Sequence, residues 1–132
     1  MQTKIIIASG PVIVENGKVL LNEHGDSDFL KFCGGKVEDY STDLIENARR
    51  EALEEMGIKL KILNNEPFIT FTRKEKDDEK IDIILVHFLA KRIGKIKPGD
   101  DIRFWEWVDL KNLSQKKLAP NIIPALKHFQ FI

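Results

Sequence analysis

The stretch that decides the fold is "GGKVEDYSTDLIENARREALEEMGI", Gly34 to Ile58. Its second half has helical periodicity and closes on Gly57, a residue that tolerates the left-handed turn at a helix end. Ser41, Thr42 or Asp43 can cap the start, and Asp43 with Glu46 has capping-box spacing. The pattern predicts a helix from Asp43 to Met56. At about 100° per residue, with Leu44 set at 0°, the residues Ala48, Ala52, Ile45 and Met56 fall on one arc of roughly 120°. That arc is the expected core face. Glu55 falls near 20°, inside it, Glu51 near 340°, at its edge, and Glu54 near 280°. Asn47, Arg49 and Arg50 fall on the remaining, solvated side.

Three glutamates at i, i+3 and i+4 repel one another by roughly 0.2–0.5 kcal/mol per pair. A solvated acidic face would explain Glu54 but not Glu55. A carboxylate against apolar neighbours is costly unless it is paired or bound to a cation. A hard divalent ion such as Mg²⁺ takes carboxylate oxygens, keeps waters and bridges to substrate phosphate. Gly34 and Gly35 just upstream allow backbone to approach a ligand closely.

The rest of the chain sets the frame for this helix. Its 132 residues carry 21 basic and 21 acidic side chains, a formal net charge of zero. One domain, residues 1–132, is expected. Nothing in that balance points to a nucleic-acid partner. Cys33 is the only cysteine. It cannot form an intrachain disulfide, and a reducing, cytoplasmic setting is expected. The apolar run in "MQTKIIIASG" is too short for a membrane span. No membrane partner is expected.

Strands are expected at Lys4–Val14 and at "KVLLNEH", joined through the Asn-Gly turn of "ENGK". Further strands are expected at "FLKF", "IKLKIL", "PFITFTRK", "IDIILVHFLAKR" and "IRFWEWVDL", with "KEKDDEK" as a charged hairpin loop. "IDIILVHFLAKR" is the most apolar and is expected to be central. "APNIIPALKHF" reads as a closing helix with Pro124 near its first turn. Strands flanking one strong helix, with a second at the end, predict an α+β layered domain with a mixed sheet.

From Gly35 to Ile58 the sequence resembles the Nudix box, G-x5-E-x7-R-E-U-x-E-E-x-G-U with U apolar. Arg50-Glu51 supplies R-E, Ala52 the U position, Glu54-Glu55 the E-E, and Gly57-Ile58 the close. "FCGGKVE" and Trp107 to Leu110 also match the family's flanks. Two departures stand out. The stretch before Arg50 is one residue longer than the pattern, and Ser41 or Thr42 stands where the first Glu belongs. In the family that Glu orients the box through the Arg. Asp39, Asp43 or Glu46 could substitute.

The resemblance implies a Nudix fold, a mixed sheet sandwiched between helices as α/β/α. It also implies Mg²⁺- or Mn²⁺-dependent hydrolysis of a nucleoside diphosphate linked to X. Glu51, Glu54, Glu55 and the Gly34 carbonyl would be metal ligands. Glu54 or Glu51 would help deprotonate water, with Arg50 in the catalytic set. Lys36, Glu38 and Asp101 would lie on the substrate side, with Asp100 beside Asp101. The family often dimerises, which makes a homodimer an expectation. Some subfamilies carry a Pro or Tyr after the box, whereas "TRKEKD" has neither. That disfavours ADP-ribose and dinucleoside polyphosphates and leaves a nucleoside triphosphate as the default substrate. The alternatives are a nucleotide-binding or regulatory module with impaired catalysis, and a purely structural domain. Among Phe29, Phe32, Phe71, Phe88 and Trp105 one could stack on a base, but most are expected in the core. His24, His87 and His128 are expected to be structural.

Overall fold

The computed structural model describes residues 2–132. Its axis is β7, Glu79–Ile93, the apolar segment expected to be central. β1, Gln2–Val12, runs parallel to it from the Gln2–Glu79 pair to the Val12–Leu89 pair. β6, Phe68–Lys76, covers the first part of β7 antiparallel. β5, Lys59–Ile62, covers the last part. β4, Gly35–Lys36, lies antiparallel on the outer side of β1. A second, antiparallel sheet joins β2 (Val14–Glu15), β3 (Lys18–His24) and β8 (Ile102–Asp109).

A parallel pair cannot be closed by a hairpin. The long connection between β1 and β7 therefore carries the second-sheet hairpin, α1 (Leu44–Met56) and β5. Period-2 alternation gives each sheet two apolar faces. Ile13 and Leu20 pack with Ala48, Ala52 and Met56 on the α1 side. Val12, Val19 and Leu21 pack with Ile122, Ala125 and Leu126 of α2 (Ile122–His128) on the other. The helices thus sandwich the strands, as the α/β/α expectation held.

Local departures have physical reasons. "FLKF" forms no strand: only Leu30 and Lys31 make isolated bridges, to Leu118 and Asn22. "KEKDDEK" is mostly strand, and only Asp77 and Asp78 turn, both at positive φ. That is the primed geometry that matches strand twist, and Asp tolerates it. Asn16 and Gly17 make the same kind of turn at the expected Asn-Gly. A 3-10 helix at Leu110–Gln115, capped by Asp109, was not expected from the sequence. No helix among the described residues is long and apolar enough to cross a membrane.

Candidate active site

α1 starts one residue later than expected because Asp43 is its cap. The Asp43 carboxylate accepts the Glu46 N–H at 2.7 Å. At the other end Gly57 sits at φ 69° and its N–H closes on Leu53. No basic side chain covers the last turn. The loop after β7 does this instead: Lys97 N–H donates to the Met56 carbonyl and Gly99 N–H to the Glu55 carbonyl, both at 2.8 Å. Helix-end carbonyls need such partners. Satisfying them here places Asp100 and Asp101 beside the α1 carboxylates.

The three glutamates follow the angular order. Glu55 is 8% exposed, Glu51 is partly buried and Glu54 is exposed. Glu55 Oε1 accepts the Gly34 N–H at 3.0 Å, and its Oε2 lies 3.8 Å from His24 Nε2. A register shift at Glu23/His24 aims His24 there. Burial, reinforced by the neighbouring Glu55 charge, holds the Glu51 carboxyl above its ordinary value. A Cβ on Gly35 would lie 2.4 Å from the Glu51 carboxylate, so only glycine leaves that carboxylate its place. Burial, then Glu55, pushes the adjacent Cys33 thiol well up. A buried neutral thiol is inert, as expected for a packing residue.

Arg50 ties the cluster together. Its guanidinium lies 3.0 Å from Glu51 and 3.1 Å from Glu54, and it donates to Asn47 Oδ1 at 2.7 Å. Asn47 corrects the angular reading: it is 2% exposed rather than solvated. Its Nδ2 donates to Ser9 Oγ at 2.9 Å and to the Gly35 carbonyl at 3.1 Å. Ser9 in turn donates to the Leu44 carbonyl. Asn47 therefore orients Arg50 where the first box Glu is missing. The suggested substitutes do not: Asp39 binds Ser41, Asp43 caps α1 and Glu46 pairs with Arg49. An Asn on a polar helix face gives no sequence signal of burial; only the contact with β1 reveals it.

Two adjoining cavities share these groups. One, of about 380 Å³, is lined by Glu38, Glu51, Glu54, Glu55, Asp100 and Asp101, with Arg50 and His24. The other, of about 800 Å³, shares Glu38, Glu51, Glu55 and His24. It extends over Ile6, Ala8, Ile83 and Leu85, with Phe29 and Phe71 beside it. Lys36 and Lys74 also line it. Phe71 is 76% exposed, whereas Phe32 and Phe88 are core. His87 and Asn121 line this cavity, though both are nearly buried and neither drew notice as a site residue in the sequence.

Among the described residues no three acidic, imidazole or thiol groups stand close enough to enclose a metal as they are placed. Glu51 and Glu55 act on each other electrostatically, and the Arg50 guanidinium bridges Glu51 and Glu54. The donor chemistry nonetheless fits a hard divalent ion. These are hard oxygen donors, crowded, partly desolvated and mutually repelling, in an acidic cavity.

Comparison with known proteins bears on the family and the fold. A family model described as "NUDIX domain" matches residues 5–129. No curated protein matches the chain. Among solved structures, the Escherichia coli ORF135 protein is 27% identical with TM-score 0.70, covering 96% of this chain and 89% of that one. A MutT protein from Methanosarcina mazei is 24% identical with TM-score 0.69, covering 98% and 95%. A MutT Nudix hydrolase from Burkholderia pseudomallei is 22% identical with TM-score 0.74, covering 94% and 97%.

Proposed function

We propose that this chain, which belongs to the Nudix family of hydrolases acting on phosphorus-containing acid anhydrides, cleaves a nucleoside triphosphate to the monophosphate and pyrophosphate. The family acts on nucleoside diphosphate derivatives and generally uses divalent metals. The observation that carries the finer reading is the acidic cavity opening into an apolar one of about 800 Å³. Phosphates belong at the carboxylate end, through cations, and an uncharged heterocycle at the apolar end.

In this reading Glu51 and Glu55 would hold Mg²⁺ or Mn²⁺, with Glu54 and the Gly34 carbonyl completing the set. Such an ion neutralises the anhydride and polarises a phosphoryl oxygen. The protein's own part is orientation and proton transfer. Water adds to one phosphorus, the bridging P–O bond breaks, and a carboxylate takes the water proton. Glu54 suits that role because it sits at the exposed rim of the acidic cavity, open to water. Glu51 is the alternative, because it lines the same cavity beside Arg50. Asn47 keeps Arg50 from swinging into solvent. Lys36 stands beside the phosphate path, and Glu38, Asp100 and Asp101 line the acidic cavity opposite α1.

A panel of nucleoside triphosphates and other nucleoside diphosphate derivatives, assayed with Mg²⁺ and product identification, tests this. Pyrophosphate and a monophosphate from at least one triphosphate are expected. Binding without turnover across the panel would instead favour the impaired module, a reading that the lost box Glu invites.

A further inference from the structure

His87 is the group in the larger cavity that the catalytic reading leaves unused. It sits on β7 between Gly10 of β1 and Phe68 of β6. Its side chain is 6% exposed and lines the cavity. Its ring lies 4.9 Å from that of Phe32, tilted by 48°, which fixes its plane. Burial, with Lys31 nearby, lowers its pKa to about 4. At neutral pH the imidazole is uncharged, with one nitrogen a donor and the other an acceptor.

A core histidine should spend those two groups on the protein. Among the described residues neither ring nitrogen makes a hydrogen bond to a protein group at ordinary distance. Among the described residues the fully buried side-chain atoms without a partner belong to Asn22 and Thr70, so the unbonded His87 nitrogens are open to the cavity they line. A nearly buried polar group left unpaired costs about 1–3 kcal/mol. The loss is offset when a ligand supplies the partner, and a few placed polar groups on apolar walls are what ligand pockets use for orientation. Its surroundings narrow the ligand. Ile83 and Leu85 precede it along the same face of β7, with Ala8 of β1 paired to Leu85. Among the described residues no carboxylate or guanidinium hydrogen-bonds the ring. A second phosphate at the His87 end would lose its hydration against Ile83, Leu85 and Ala8, and of the lysines lining the cavity only Lys31 bears on the ring's charge.

We propose that His87 is a specificity-determining residue that hydrogen-bonds the uncharged nucleobase of the substrate. This rests on the nucleotide reading and adds that the far end of the substrate is a single base rather than a second charged group. Discrimination between bases should therefore depend on this side chain. A site that hydrogen-bonds its ligand rejects an analogue lacking the matching group far more strongly than an apolar slot does.

The test is equilibrium binding, by calorimetry with Mg²⁺, of the α,β-imido triphosphates of adenosine, guanosine, cytidine and uridine. The α,β-imido link resists the proposed cleavage. Wild type, His87→Phe and His87→Gln are compared after their folding is checked by circular dichroism. Wild type should prefer one base by about tenfold or more, the scale of one hydrogen bond in a dry pocket. His87→Phe keeps the packing on Phe32 and should narrow the spread to about twofold by the same reasoning. His87→Gln retains a neutral donor and acceptor and should restore part of it. A folded His87→Phe with wild-type base preference overturns the proposal, as does a wild type that binds all four bases alike. Either result leaves triphosphate hydrolysis standing. Failure of wild type to bind any of the four overturns both readings.

Discussion

The two ends of the site solve opposite problems. At the α1 end, Glu51, Glu54 and Glu55 crowd negative charge into a half-buried space, and Arg50 only partly relieves it. At the cavity end, His87 and Asn121 sit nearly buried and uncharged among apolar walls. The first end has an excess of negative charge, which a divalent cation would offset. The second has unpaired polarity waiting for a neutral partner. The difference teaches that the site is divided by polarity: carboxylates gather at one end, and the other is mostly apolar with Lys31, Lys36 and Lys74 among its walls.

The largest expected effect breaks the acidic end. Changing Glu54→Gln and Glu55→Gln together should reduce kcat by about 10²–10⁴-fold, the range for losing a general base, while the α1 packing stays. Steady-state rates with Mg²⁺ measure it, and unchanged turnover would remove the site assignment.

The next effect separates the two ends by pH. The His87 pKa falls from 6.5 to about 4 on folding. Between those values the unfolded chain binds more protons, so stability rises with pH across that window. The cost of acidifying is roughly 3 kcal/mol. His87→Phe should lose this dependence, which urea unfolding at pH 4 and pH 7 would show. Glu51 has the opposite sign: its raised pKa contributes stability below the ordinary carboxylate range, and this is lost as pH rises through the folded value. A bound cation should replace that proton. Mg²⁺ should therefore raise the melting temperature more at pH 8 than at pH 5, as differential scanning fluorimetry would read.

A smaller effect tests the strut behind the acidic end. Asn47→Leu leaves Ser9 and the Gly35 carbonyl without their partner and should cost about 1–3 kcal/mol. It should also lower kcat by freeing Arg50. Asp43→Ala removes only the α1 cap and should cost about 1 kcal/mol, with kcat nearly unchanged. Equal effects of the two on kcat would show that Asn47 acts on helix stability alone.

What could be read from the sequence follows the same division. Charge and periodicity are local properties. They placed Glu55 against the core, Glu51 at its rim and Glu54 outside, and they picked out β7 as central. Gly57 marked one end of α1, and the other was narrowed to a cap at Ser41, Thr42 or Asp43, because caps act within a few residues. Asn47 was misread because its burial depends on a partner 38 residues away, Ser9 of β1. "FLKF" failed as a strand because its backbone partners, Asn22 and Leu118, meet it at single residues only. The replacement for the missing box Glu was invisible for a related reason. The loop that gained a residue turned Asp39 onto Ser41, and the helix itself supplied Asn47.

The central claim is that the α1 carboxylates hold a divalent cation. Titrating Mn²⁺ into the protein and following free Mn²⁺ by electron paramagnetic resonance tests it without relying on turnover. Wild type should bind Mn²⁺, and Glu51→Gln combined with Glu55→Gln should abolish that binding in a chain that remains folded. Equal Mn²⁺ binding by wild type and the folded double variant would contradict the account.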